Sequence, residues 1–80
     1  MAKNNFKETY DRVVEETKAL REKYNKLDKF IHSDKFFKLE EIDRNDLAIQ
    51  KDAMSIYLTV LGRRMERMKD ELNLETKLKK

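Results

Sequence analysis

The sequence predicts an all-α protein, a long antiparallel two-helix hairpin with a short connecting helical turn, and three observations carry that expectation. Proline is absent and glycine occurs once, at Gly62, which leaves turn-rich β architectures without their usual punctuation. Charged residues make up 44% of the chain, both signs interleaved, as on the solvated faces of long helices. Apolar residues recur at spacings of three and four rather than two, the period of a helix face. At 80 residues and 9.7 kDa the chain holds one domain, 1–80. It has little apolar material for a private core, so a lone hairpin would be marginal and a homo-oligomer is expected.

The first helix is expected from about Phe6 to about Ile31, with Asn5 as its cap and Glu8 reaching back in a capping box. Phe6, Tyr10, Val13, Thr17, Leu20, Tyr24, Leu27 and Ile31 alternate spacings of four and three, a heptad seam about 40 Å long at 1.5 Å per residue. His32-Ser33-Asp34 breaks it. Ser33 or Asp34 suits the start of a single turn over about 34–38, whose Phe36, Phe37 and Leu39 should plug the closed end of the hairpin. Glu40, Glu41, Asp43 and Asp46 then bring negative charge to the start of the second helix, as its dipole prefers, and Asp43 is the expected cap. That helix should run over about 43–73, with a frayed tail over 75–80.

The second helix has two apolar faces. At 100° per residue, Leu47, Met54, Tyr57, Leu58, Leu61, Met65, Met68 and Leu72 cluster on one, while Ile49, Ala53, Ile56 and Val60 form another roughly 120° away. One antiparallel neighbour can cover the first face but not both. The second face is therefore the expected oligomer interface, unless the hairpin leaves it partly wet.

Several function classes find no support. The chain has no cysteine and a single histidine, His32, and it lacks a serine elbow, an HExxH pair and a phosphate loop, so no catalytic residue, metal site or cofactor is expected. The net charge of +3 owes everything to Lys77, Lys79 and Lys80, without which residues 1–76 are neutral. Binding to duplex nucleic acid is accordingly not expected. No apolar run is long enough to cross a bilayer and the first residues lack a signal-peptide core, so a soluble cytosolic protein without a membrane partner is expected.

What chemistry remains is anion recognition. Arg64 falls inside the apolar arc of the second helix, where an unpaired guanidinium is costly. It either meets Glu16 or Glu71, snorkels to solvent, or grips an anionic ligand. Gln50 projects into the same arc, to read a base edge or to be satisfied by the first helix. On the first helix Arg12, Glu16, Ala19, Lys23, Lys26 and Phe30 form a side stripe at the edge of the seam; Arg12 and Glu16 either pair at i,i+4 or leave Arg12 free. Arg12, Lys23 and Lys26 beside Phe6, Tyr10 or Tyr24 could hold phosphates while the rings stack on bases, against the alternative that seam tyrosines are core with a wet hydroxyl. Ala48, Ser55, Thr59 and Gly62 make a stripe of small residues along which another helix or a flat ligand could approach.

Read in order, Phe6-Lys7-Glu8, Arg12-Val13-Val14-Glu15-Glu16, Leu20, Lys23, Leu27, Phe30-Ile31, Ser33, Phe36 or Phe37, Leu39, Leu47, Gln50, Met54, Tyr57, Val60-Leu61 and Arg64 resemble the helical hairpin of small phage proteins that counter CBASS and Thoeris defence, over roughly residues 6–65. The resemblance implies a sponge in the cytoplasm of the infected bacterial host, usually hexameric. Such a sponge sequesters cyclic dinucleotides, cyclic trinucleotides or cyclic ADP-ribose isomers between subunits without cleaving them. Carried over by position, it implicates Phe6, Arg12, Lys23 and Arg64, with Gln50 and Tyr57 in structural roles. Tyr10 and Lys26 join the nucleotide-binding candidates on chemistry and location. Thr9-Tyr10, Arg63 and the extension after Met65 depart from the pattern. A structural or adaptor coiled coil that binds another protein through Ile49, Ile56 and Val60 is the alternative.

Overall fold

The computed structural model describes the backbone of residues 2–79 and the side chains of residues 6–73. These form helices and no strand: α1 over Ala2–Ile31, α2 over Asp34–Phe37 and α3 over Glu41–Lys79. Helices α1 and α3 pack side by side in a rod of 60 × 18 × 15 Å. They run antiparallel, because contacts pair Thr17 with Met65 but Asp28 with Lys51. No helix among the described residues is long and apolar enough to cross a membrane.

Every residue of the α1 heptad from Phe6 to Ile31 is buried or half-buried. Val13 and Thr17 are its most enclosed members. A threonine is tolerated there because its Oγ1 donates to the Val13 carbonyl at 2.7 Å and lies 3.7 Å from the Met65 sulfur, so the hydroxyl stays satisfied inside the seam. From α3 the facing row is Leu47, Lys51, Met54, Leu58, Leu61, Met65, Met68 and Leu72, all buried or half-buried. Leu61 is fully enclosed, a burial that contributes about 1.5–3 kcal/mol.

Helix boundaries depart from the sequence expectations in three places. Helix α1 starts at Ala2, so Asn5 lies within its first turns and is no cap; alanine and lysine before it favour helix and nothing stops the chain there. Helix α3 starts at Glu41, and the Arg44 amide donates to the Glu40 carbonyl at 3.0 Å. Glu40 thus takes the cap position expected of Asp43, while Asp43 and Glu41 sit in the first turn beside the positive end of the dipole. At the other end α3 continues to Lys79, past the expected end near 73 and through most of the tail expected to fray. The stretch contains no proline or glycine, and lysines suit a helix C-terminus.

The connection is a tight one. Ser33 is extended (φ −96°, ψ 160°) at the N-cap of α2, yet its hydroxyl donates backwards to the Phe30 carbonyl at 2.6 Å instead of capping. Phe36 is buried, edge-on to Phe30 (6.2 Å) and to Phe37 (5.4 Å). Phe36 therefore plugs the end of the hairpin, and Leu39 is half-buried. Phe37, one residue on and therefore about 100° round the turn, is 63% exposed.

Candidate ligand-binding flank of the hairpin

Side chains just off the seam fall on one flank of the hairpin or the other, and two cross-helix contacts match the flanks of α1 to those of α3. On the first flank the Tyr57 hydroxyl donates to the Glu16 carboxylate. On the second, Lys51 Nζ meets the Asp28 carboxylate at 2.7 Å and lies 5.9 Å from the Tyr24 ring centroid. Helical rotation then assigns the other residues. Arg12, Ala19 and Lys23 share the α1 flank of Glu16, while Gln50 and Arg64, seven residues either side of Tyr57, share its α3 flank.

The first flank therefore brings Arg12, Glu16, Lys23, Gln50, Tyr57 and Arg64 to one long edge. Arg64 is half-buried, whereas Arg12, Lys23, Gln50 and Tyr57 are exposed. Glu16 is engaged by Tyr57, and neither Arg12, Lys23 nor Arg64 takes part in the ion pairs formed among the described residues. The expected pairings of Arg64 with Glu16 or Glu71, and of Arg12 with Glu16, are thus not made within the hairpin. Tyr57, expected on the core face, is 42% exposed at the rim, and Lys51 stands in the seam row between Leu47 and Met54.

The remaining candidates lie elsewhere. Phe6 and Tyr10 are half-buried in the seam near the open end of the hairpin, and Lys26 is exposed, rotated further round α1. Phe6 and Lys26 are about 30 Å apart along α1 at 1.5 Å per residue, so the six candidates do not converge on one point of a single chain. Arg12 and Lys23 are closer, about 16 Å apart. The stripe at Gly62 has open space, with nothing within 4 Å of where a Cβ would stand. Of the second apolar face, Ile49 (65%), Ile56 (66%) and Val60 (44%) are exposed, and Ile42 (68%) extends the row by one heptad. Sequence reasoning passed over Ile42, although its spacing of seven from Ile49 was the available signal.

The second flank was missed entirely. Asp28 accepts from Lys51, and His32 Nδ1 donates to the Asp28 carbonyl at 2.8 Å while lying 3.7 Å from its carboxylate. The hydrogen bond from Lys51 holds the Asp28 carboxyl below its ordinary value, and Asp28 in turn raises Lys51. The sign follows. A depressed carboxyl stabilises the fold above its ordinary pKa and loses that contribution as pH falls through the depressed value; a raised lysine loses its contribution only in strong alkali. Asp28→Asn should therefore melt below the parent at neutral pH, and the gap should close in acid. Paired thermal melts at the two pH values check this. The signal in the sequence was Lys51 itself, a charged residue where the row of α3 calls for an apolar one.

Among the described residues no three carboxylate or imidazole groups converge as a metal site would require. A model of the Sequestin family matches residues 7–67, a span that runs from one residue past Phe6 on α1, through the turn, to beyond Arg64 on α3. The chain belongs to the Sequestin family. Arg12, Lys23, Gln50, Tyr57 and Arg64 all lie inside the matched span, as do Tyr10, Lys26 and the exposed row from Ile42 to Val60, while Phe6 lies just outside it. The family name denotes a sequestering protein. No curated protein and no solved structure matches this Sequestin-family chain.

Proposed function

We propose that this Sequestin-family chain is a phage anti-defence sponge: it binds cyclic dinucleotide or cyclic trinucleotide immune signals, or cyclic ADP-ribose isomers, in the host cytoplasm and withholds them from CBASS-type immunity without cleaving them. The observation that carries the reading is the family match across both helices, with two guanidinium groups and an ammonium on one flank inside it. Arginine forks hold phosphodiester oxygens through paired charge-assisted hydrogen bonds. A rim tyrosine such as Tyr57 offers a flat face to a base, worth roughly 1–3 kcal/mol per stacked ring. Because Arg12 and Lys23 stand apart along α1, a ligand with two or three phosphates around a ring suits the flank better than a mononucleotide. Self-association through the exposed face of α3 is part of the reading, and hexamer is the state that the resemblance to phage sponges suggests.

A thermal-shift screen against cyclic dinucleotides, cyclic trinucleotides and cyclic ADP-ribose isomers tests the proposal, followed by chromatography of the heated complex. Ligand at 100 times its dissociation constant contributes about 2.7 kcal/mol. For a domain of this size that is a rise of roughly 10–20 °C, and the ligand should be recovered intact. A released product instead of the intact ring would make the protein an enzyme. Silence across the panel would favour the second reading, an adaptor coiled coil, for which the exposed row from Ile42 to Val60 speaks.

A further inference from the structure

The exposed face of α3 carries a second heptad row, and its charges select the occupant. In order it reads Ile42, Asp46, Ile49, Ala53, Ile56, Val60, Arg63 and Arg67, at alternating spacings of four and three. All eight are exposed. The row is acidic near one end, apolar through the middle and basic at the other, and Asp46, Arg63 and Arg67 take no part in the ion pairs formed among the described residues.

We infer that this face binds a second copy of the same chain, antiparallel, about a two-fold axis that passes between the two α3 helices level with Met54 and Ser55. Such an axis pairs residues equally distant on either side of it. Ile49 meets the partner's Val60, Ala53 meets the partner's Ile56, and Asp46 meets the partner's Arg63. Ile42 meets the partner's Arg67, whose aliphatic stem can cover it while the guanidinium stays at the rim. Small packs against large at the centre and opposite charges close both ends. A parallel pair in register would instead stack Asp46 on Asp46, Arg63 on Arg63 and Arg67 on Arg67, three layers of like charge. A one-heptad slip of the antiparallel pair, setting Ile49 against the partner's Arg67, would expose apolar layers to charge.

The same axis acts on the ligand flank. Asp43, Gln50, Tyr57 and Arg64 form a row beside the apolar one, spaced by seven. Asp43 then stands opposite the partner's Arg64, offset by about 3 Å at 1.5 Å per residue, within the reach of a guanidinium. The half-buried Arg64, which has no carboxylate partner among the described residues of its own hairpin, gains one from the second copy. Asp43 is then the group that an incoming phosphate displaces. This inference deepens the self-association in the proposed function and does not depend on the identity of the ligand.

The test uses the full chain without nucleotide, and the absence of native cysteine makes cross-linking clean. A mixture of Ile49→Cys and Val60→Cys chains should form a disulfide dimer under mild oxidation, while each variant alone should not, since like positions lie about 16 Å apart along the paired helices. Asp46→Arg should at least halve the mass measured by light scattering, and Asp46→Arg combined with Arg63→Asp should restore it. Dimers formed by either cysteine variant alone would establish a parallel pair and overturn the inference. So would an unchanged mass for Asp46→Arg, or no cross-link in the mixture. Both substituted apolar positions are exposed, so the fold survives the change. A nucleotide-binding protein that fails these tests loses only this inference; one that passes them but ignores every nucleotide loses only the sponge.

Discussion

Leu61→Ala should unfold the hairpin at temperatures where the parent is intact. Leu61 is the one large side chain among the described residues with no exposed surface, set in the middle of the α1–α3 seam. Truncating such a residue costs about 2–5 kcal/mol, the loss of transfer free energy plus an unfilled cavity. A whole domain commonly has only about 5–15 kcal/mol, and each kcal/mol moves the melting point of a chain this size by roughly 4–8 °C. Ile56→Ala is the informative contrast. Its side chain is 66% exposed on the opposite face, so in a lone hairpin the change should be nearly silent. In an assembly joined through α3 it should lower the mass while leaving the helix content alone. Far-UV circular dichroism and light scattering at one fixed chain concentration separate the two effects.

Arg64→Ala combined with Lys23→Ala should abolish the nucleotide-induced thermal shift. Each cation would contribute charge-assisted hydrogen bonds of about 1.5–3 kcal/mol to a phosphate, so each single variant should weaken binding roughly ten- to a hundredfold. The pair should bring it below detection. The fold should persist, because Lys23 is exposed and Arg64 makes no ion pair among the described residues. Arg64→Lys separates charge from geometry, for a lysine keeps the charge and loses the planar fork. If both double and single variants bind every ligand as the parent does, the flank is not the site. Mass should be measured alongside, so that a lost assembly is not mistaken for a lost ligand.

How far the sequence could be read follows from particular residues. The α1 heptad from Phe6 to Ile31 turned inward throughout, because a helix face repeated every three or four residues can be buried only one way round. The helix ends were less legible. Asn5 and Asp43 have good capping chemistry, yet a cap acts only where the backbone leaves the helix, and neither stretch has a residue that forces it to. The second flank left only one trace in the sequence, a charged Lys51 in the apolar row of α3. Lys51 and Asp28 look like ordinary surface charges until two separate helices bring them to 2.7 Å.

The site shows the same division. Which residues carry cationic or aromatic chemistry is written in the chain, and so is the period that puts Arg12 with Lys23 and Tyr57 with Arg64 on single helix faces. Whether those two faces share an edge depends on how α1 and α3 are rotated against each other, and only the packing of Thr17, Leu61 and Met65 and the Tyr57–Glu16 contact decide it. The sequence by itself therefore determined the helices, their heptad period and the two apolar faces of α3, since these depend on neighbours within a turn or two. The tertiary structure alone decided that Tyr57 leaves the expected core face for the rim and that Lys51 takes a place in the seam row. Those outcomes rest on contacts between residues some 20 to 50 positions apart, which no local period can specify.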